Sequence, residues 1–208
     1  MPSIQSSLFP VTTKVGFGAL GSAVDRTVLS DGAWIDIRRE WLAGAEELFE
    51  RLRRIVPWQE ERRWMYGRMV EVPRLQAFYD EGMPLPDALL EQGREMLSDQ
   101  YREELGEPFQ STGMCLYRDG RDSVSWHGDT IGRGATEDTL VAILSLGATR
   151  CLRLRPRQGG ATQSVALATG DLLVMGGSCQ RTWEHAVTKS TRPVGERLSV
   201  QFRPRGVR

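Results

Sequence analysis

Residues 140–175 read LVAILSLGATRCLRLRPRQGGATQSVALATGDLLVM, and this stretch decides the fold. It breaks into four short candidate strands, Leu140–Leu146, Arg150–Arg155, Gln163–Leu167 and Asp171–Met175. Glycine turns at Gly159-Gly160 and Gly170-Asp171 separate several of them. Working outward, Met114–Arg118, Thr182–Val187 and Leu198–Phe202 have the same character, and Asp119-Gly120 adds another turn. So many short strands in the second half of the chain predict a sandwich or jelly roll.

Before residue 111 the pattern is helical. Trp41, Ala45, Leu48, Leu52 and Ile55 recur at intervals of three and four, which marks one face of a helix ending before Pro57. Leu89, Gly93, Met96, Leu97, Tyr101 and Leu105 repeat the pattern, with Pro86 and Asp87 at the start. Between the two, residues 63–79 look extended and aromatic, and Pro73 argues against a helix. The expectation is one α+β unit in which helices cover one sheet. Residues 1–110 would form the support and 111–208 the β core, within a single structural unit.

Composition limits the function. The chain has 208 residues, 40% hydrophobic and 26% charged, with 27 basic and 27 acidic side chains. That excludes a strongly polybasic protein, yet leaves room for a local basic groove. Nearly all the positive charge is arginine, since Lys14 and Lys189 are the only lysines. Arg133, Arg150, Arg153, Arg155 and Arg157 form a cluster that could meet phosphate or simply be solvated. No run of about eighteen apolar residues suits a membrane span. The start of the chain lacks the pattern of a secretory leader. The cysteines Cys115, Cys151 and Cys179 have no metal-ligand spacing and read as reduced thiols. A cytoplasmic protein is expected, with no membrane association and no obligate protein partner, hence a monomer.

There are only two histidines, His127 and His185. Ser125-Trp126-His127-Gly128-Asp129 sets an imidazole and a carboxylate two residues apart, on one side of a strand or its end. His185 lies in another candidate strand. Two His and one carboxylate form the facial triad of non-haem Fe(II) oxygenases, which leaves positions open for a cosubstrate and O₂. Zinc in a hydrolase site fits the same ligands. Arg197 and Arg203 then share one strand face with Ser199 and Gln201 between them. A pair of buried guanidinium groups calls for an anion, and a dicarboxylate such as 2-oxoglutarate would supply it. A solvated edge strand is the alternative.

With these motifs in hand, the sequence resembles the AlkB family of Fe(II)/2-oxoglutarate-dependent dioxygenases over roughly residues 55–205. The likeness is densest in residues 114–120 (MCLYRDG), 126–129 (WHGD), 170–175 (GDLLVM) and 183–187 (WEHAV), and in Arg197 with Phe202-Arg203. Residues 72–79 (VPRLQAFY) resemble the family's segment ahead of the barrel. The resemblance implies a double-stranded β-helix (jelly-roll) core. It implies that His127, Asp129 and His185 bind Fe(2+), with catalysis at that centre. Arg197 would pair with the distal carboxylate of 2-oxoglutarate, Arg203 would sit near its other end and the iron ligands, and Tyr117 and Ser199 would line the cosubstrate. Tyr66, Arg74 and Tyr79 would belong to a nucleotide-recognition lid.

The implied reaction is oxidative demethylation of N-alkylated bases, of the 1-methyladenine or 3-methylcytosine type, in DNA or RNA. It would release formaldehyde, succinate and CO₂. A single strand would be favoured, because it avoids the cost of flipping a base from a duplex. Three positions depart from the family pattern. Cys115 stands where Asn is usual two residues before the tyrosine, Ser199 stands for Asn between the arginines, and Ile131 stands for the acidic residue two after the metal Asp. A dioxygenase of the same fold acting on a protein, lipid or small metabolite is the runner-up. A silent jelly-roll binding module is the alternative outside enzymes.

Overall fold

The computed structural model describes residues 14–65 and 67–207. Its elements run, in chain order, β1 Gly16–Phe17, β2 Asp25–Val28, β3 Ala33–Arg38, β4 Leu42–Ala43 and α1 Ala45–Ile55. The hairpin β5 Gln59–Met65 and β6 Arg68–Tyr79 follows, then α2 Ala88–Gln100 and α3 Arg102–Leu105. The remainder is β7 Ser111–Tyr117, β8 Val124–His127, β9 Val141–Gly147, β10 Arg150–Pro156, β11 Gln163–Leu167, β12 Leu172–Gly177, α4 Cys179–Thr182, β13 Trp183–Val187 and β14 Arg197–Arg203.

Eight strands form one sheet in the order β2-β3-β12-β9-β14-β7-β6-β5. Four form a second, β11-β10-β13-β8. The alternation of side chains along each strand divides the interior in two. Met114, Leu116, Ala142, Leu144, Leu198, Val200 and Phe202 face the helices and pack on Leu48, Leu52, Leu90 and Leu97. Their neighbours Cys115, Tyr117, Val141, Ile143, Leu173 and Met175 face the smaller sheet, whose Leu152, Leu154, Val165, Leu167, Trp183 and Val187 close the second core. Each fully buried leucine contributes about 1.5–3 kcal/mol. This is a jelly roll with helices packed on one sheet.

The first helix begins later than its apolar pattern predicts. Gly44 has φ +65°, a left-handed conformation outside the helix, so Trp41 lies upstream of it. Trp41 is nevertheless fully buried, with its ring 4.3 Å from that of Phe17. Gly93 of α2 makes room for the pair, since a Cβ there would come within 2.9 Å of the Phe17 ring. Ile55, expected on the buried face, is exposed, and Val56 packs in its stead. In α2 the Asp87 carboxylate caps the Leu89 N–H at 3.0 Å and accepts from Arg51 of α1 at 2.7 Å.

Residues before 111 contribute strands as well as helices. Ala33, Ile35 and Ile37 of β3 point into the core between the sheets while Asp36 points the other way. In the hairpin, Glu60 pairs with Leu75 and Arg62 with Glu71, so β6 carries two extra residues around Pro73. Proline lacks the ladder N–H, and the bulge falls there. No helix among the described residues is long and apolar enough to cross a membrane.

Candidate active site

The two histidines meet across the smaller sheet. His127 closes β8 and pairs in register with His185 of β13, their ring centroids 4.2 Å apart. Asp129 lies just past the end of β8, and Gly128 permits the turn. A Cβ on Gly128 would overlap the carbonyl oxygen of Gln180. One ligand atom from each of His127, Asp129 and His185 lies within 4.8 Å of the others, and His127 Nε2 is 3.7 Å from Asp129 Oδ1.

Surrounding groups prepare these three for a cation. His127 Nδ1 is 2.8 Å from the Ser125 carbonyl oxygen, which can only accept, so Nδ1 is a donor and Nε2 is the atom turned to a ligand. Burial pushes the His185 imidazolium down to about 3, so this ring is neutral at pH 7. Burial also pushes the Asp129 carboxyl up, but the charges of Arg203, His185 and His127 outweigh it and hold the group at about 2. Arg203 Nε donates to Asp129 Oδ2 at 2.7 Å. The Asp129 backbone N–H donates to Gln180 Oε1 at 2.9 Å, and Gln180 is buried on α4, just ahead of the strand that carries His185. The neutral His185 imidazole and the ionised Asp129 carboxylate are in the protonation states a divalent metal requires.

Beside this cluster, the inner face of the large sheet is a grid of polar side chains. Tyr117, Arg197 and Gly147 form one rung across β7, β14 and β9, and Cys115, Ser199 and Ser145 form the next. Arg197 is 1% exposed, and its guanidinium lies 5.3 Å from the Tyr117 ring. Its Nε donates to Ser145 Oγ at 3.1 Å, while Nη1 is buried with no hydrogen-bond partner. No acidic side chain among the described residues pairs with it. A buried cation with an idle donor fits a carboxylate ligand. Burial pushes the Tyr117 phenol up to about 12, so it stays a neutral donor. The Ser199 hydroxyl is already engaged by Gln201 Nε2 at 2.6 Å.

His127, Asp129, His185, Arg203, Arg197, Tyr117 and Ser199 thus come together. Tyr79 does not, because it falls on the opposite face of β6 and packs with Leu75 and Ala77 against the helix-side core. Tyr66 lies outside the described residues. Arg74 donates to the Ser123 carbonyl at 3.2 Å, near enough to Tyr117 for its charge to act on the phenol. Ile131 is 70% exposed on the loop after Asp129. Most of the arginine cluster is engaged within the protein. Arg150 is buried on the carbonyls of Asp119, Asp122 and Thr188, Arg155 and Arg157 pair with Glu184, and Arg133 pairs with Glu107 and Glu137. Arg153 is exposed.

The 2OG-Fe(II) oxygenase superfamily model matches residues 59–203. The chain is 31% identical over 210 aligned residues to the alpha-ketoglutarate-dependent dioxygenase alkB homolog 3 of Bos taurus, covering 89% of this chain and 70% of that one. The chain belongs to the AlkB family. The human alkB homolog 3 is 30% identical over the same shares. The DNA oxidative demethylase ALKBH2 of Arabidopsis thaliana is 30% identical over 53% of this chain and 42% of its own length. Among solved structures, OsALKBH1 superposes with a TM-score of 0.60 at 15% identity, over 86% of this chain and all of that one. This AlkB-family chain is a dioxygenase that uses Fe(II) and 2-oxoglutarate, and the His-Asp-His cluster with the idle Arg197 donor fits both.

Gln180, Ser145 and Gly113 of the site were not singled out by the sequence. Gln180 acts across 51 positions and Ser145 across 52, so no local spacing announces either. Gly113 lies beneath Arg203, where a Cβ would stand 2.7 Å from its Nη1.

Proposed function

We propose that the chain oxidatively demethylates N-alkylated bases of the 1-methyladenine and 3-methylcytosine type in DNA or RNA, preferring single strands. The iron and 2-oxoglutarate, when bound, supply the oxidising chemistry: O₂ hydroxylates the N-methyl group while 2-oxoglutarate becomes succinate and CO₂, and the product sheds formaldehyde. His127, Asp129 and His185 hold the metal. Arg197 and Tyr117 orient the cosubstrate, and Arg203 keeps Asp129 ionised and aimed.

One observation carries the substrate reading. β6 runs from the wall of the pocket, where Gln76 and Phe78 stand, out to a hairpin tip that exposes a cross-strand pair, Trp64 (70% exposed) and Met69 (49%). An exposed aromatic at the tip of a hairpin whose other end borders the site suits stacking on unpaired bases, which every base permits. The names of the relatives, a DNA oxidative demethylase among them, support the same reading.

The test is turnover of a single-stranded oligonucleotide bearing one 1-methyladenine or 3-methylcytosine. Loss of the methyl group with stoichiometric formaldehyde supports the proposal. Succinate formation with the methyl group intact would direct the search to a protein, lipid or metabolite substrate.

A further inference from the structure

Arg74 approaches Tyr117 from β6. β6 pairs with β7 through Gln76↔Cys115 and Leu75↔Leu116. The pairing ends at Leu75, and Arg74, the next residue, is near enough for its charge to act on Tyr117, while β14 sets Arg197 directly opposite Tyr117. Residues of one rung project to the same face of a sheet. The Arg197 and Arg150 guanidinium groups lie 5.3 and 5.6 Å from the Tyr117 ring, and the charges of Arg197, Arg74 and Arg150 all act on the phenol.

Each of the two carries an idle donor. Arg74 Nη1 is anchored on the Ser123 carbonyl, but its Nε–H is buried without a partner. Arg197 Nη1 is buried without a partner as well. Among the described residues no acidic side chain pairs with either. Two buried cationic donors left unmet around one phenol are costly unless a shared anion meets both.

We propose that Arg74 is a second guanidinium for the distal carboxylate of 2-oxoglutarate, gripping it from β6 as Arg197 grips it from β14. One carboxylate has two oxygens and about four acceptor sites, enough for both arginines and the Tyr117 hydroxyl. The neighbouring rung offers little else. Cys115 Sγ makes only 4.0 Å contacts with Gln76 and Gln201, and the Ser199 hydroxyl is taken by Gln201. The inference rests on the assignment of Arg197 to the cosubstrate and is independent of the nucleic-acid reading.

The test is calorimetric titration of 2-oxoglutarate into the full chain loaded with Mn(II), which binds without turnover. Wild type, Arg74→Gln, Arg74→Lys and Arg197→Met are compared, with melting temperatures recorded for each. Charge-assisted hydrogen bonds of this kind make the expected loss about tenfold or more in 2-oxoglutarate affinity for Arg74→Gln and for Arg197→Met. Arg74→Lys keeps length and charge but not the fork, so it loses affinity by a smaller factor. It carries the test if Arg74→Gln fails to fold. A wild-type 2-oxoglutarate affinity in the Arg74 variants, with Arg197→Met weakened, overturns the role of Arg74. A wild-type affinity in Arg197→Met overturns the cosubstrate assignment beneath it.

Discussion

Arg203, the last residue of β14, donates from Nε to Asp129 Oδ2 at 2.7 Å, joining the end of the final strand to the metal carboxylate 74 positions earlier. With Oδ2 held in this way, Oδ1 is turned toward His127 Nε2, at 3.7 Å. The arginine can lie flat across β7 only because residue 113 has no side chain. Gly113→Ala would put a Cβ 2.7 Å from Arg203 Nη1 and 3.0 Å from Gln201 Oε1. The expected result is a folded protein whose Mn(II) affinity falls by about tenfold, as for other losses of support around a metal ligand. Titration of the metal-free variant checks it, and an unchanged affinity would mean that the Arg203 contact is dispensable.

Gln180 supports the same carboxylate from the backbone side. Replacing it with Met keeps volume and removes the acceptor for the Asp129 N–H. Metal affinity should drop about tenfold, with little change in the 2-oxoglutarate affinity of the metal-saturated protein. An equal loss in both would point to general disruption of the pocket.

Ala in place of His127 or Asp129 should abolish turnover while circular dichroism and the melting transition stay those of a folded protein. Both residues sit at the mouth of the smaller sheet, outside the apolar contacts of either core. Full activity in either variant would refute the metal assignment.

The loop behind Tyr117 should be acid-sensitive. Asp122 accepts from the Arg118 backbone N–H, Nε and Nη2 at 2.8, 2.8 and 3.0 Å. Burial pushes its carboxyl up, but the Arg118 hydrogen bonds and charge outweigh that and leave it below the ordinary value. A depressed folded pKa gives stability that is fully present above the unfolded pKa of about 3.9 and is lost as pH falls through the lower folded value. Asp122→Asn should therefore melt below wild type at pH 7, and the gap should close as pH drops below about 4. Melting temperatures across that range test the sign; a gap that persists at low pH contradicts it.

Much of the fold was legible because strand alternation and glycine turns act locally. Gln163–Leu167 is a strand over the limits its sequence predicts. His127, Asp129 and His185 were legible because the chain has no other histidines to choose from. The errors came from long-range effects. Trp41 fits a helical spacing, yet the left-handed Gly44 separates it from the helix it resembles. Tyr79 looks like a lid residue until the register of β6 turns it toward the helices. Gln180 and the Tyr117–Arg197 rung depend on strand order, which no single stretch of sequence encodes.

The most direct test of the central claim is a single anaerobic reconstitution with Fe(II), 2-oxoglutarate and a singly methylated single-stranded oligonucleotide, followed by O₂. Equal amounts of formaldehyde, succinate and unmodified base are expected, and none of the three from Asp129→Ala. Succinate with the methyl mark intact would contradict the substrate, and no succinate at all would contradict the enzyme.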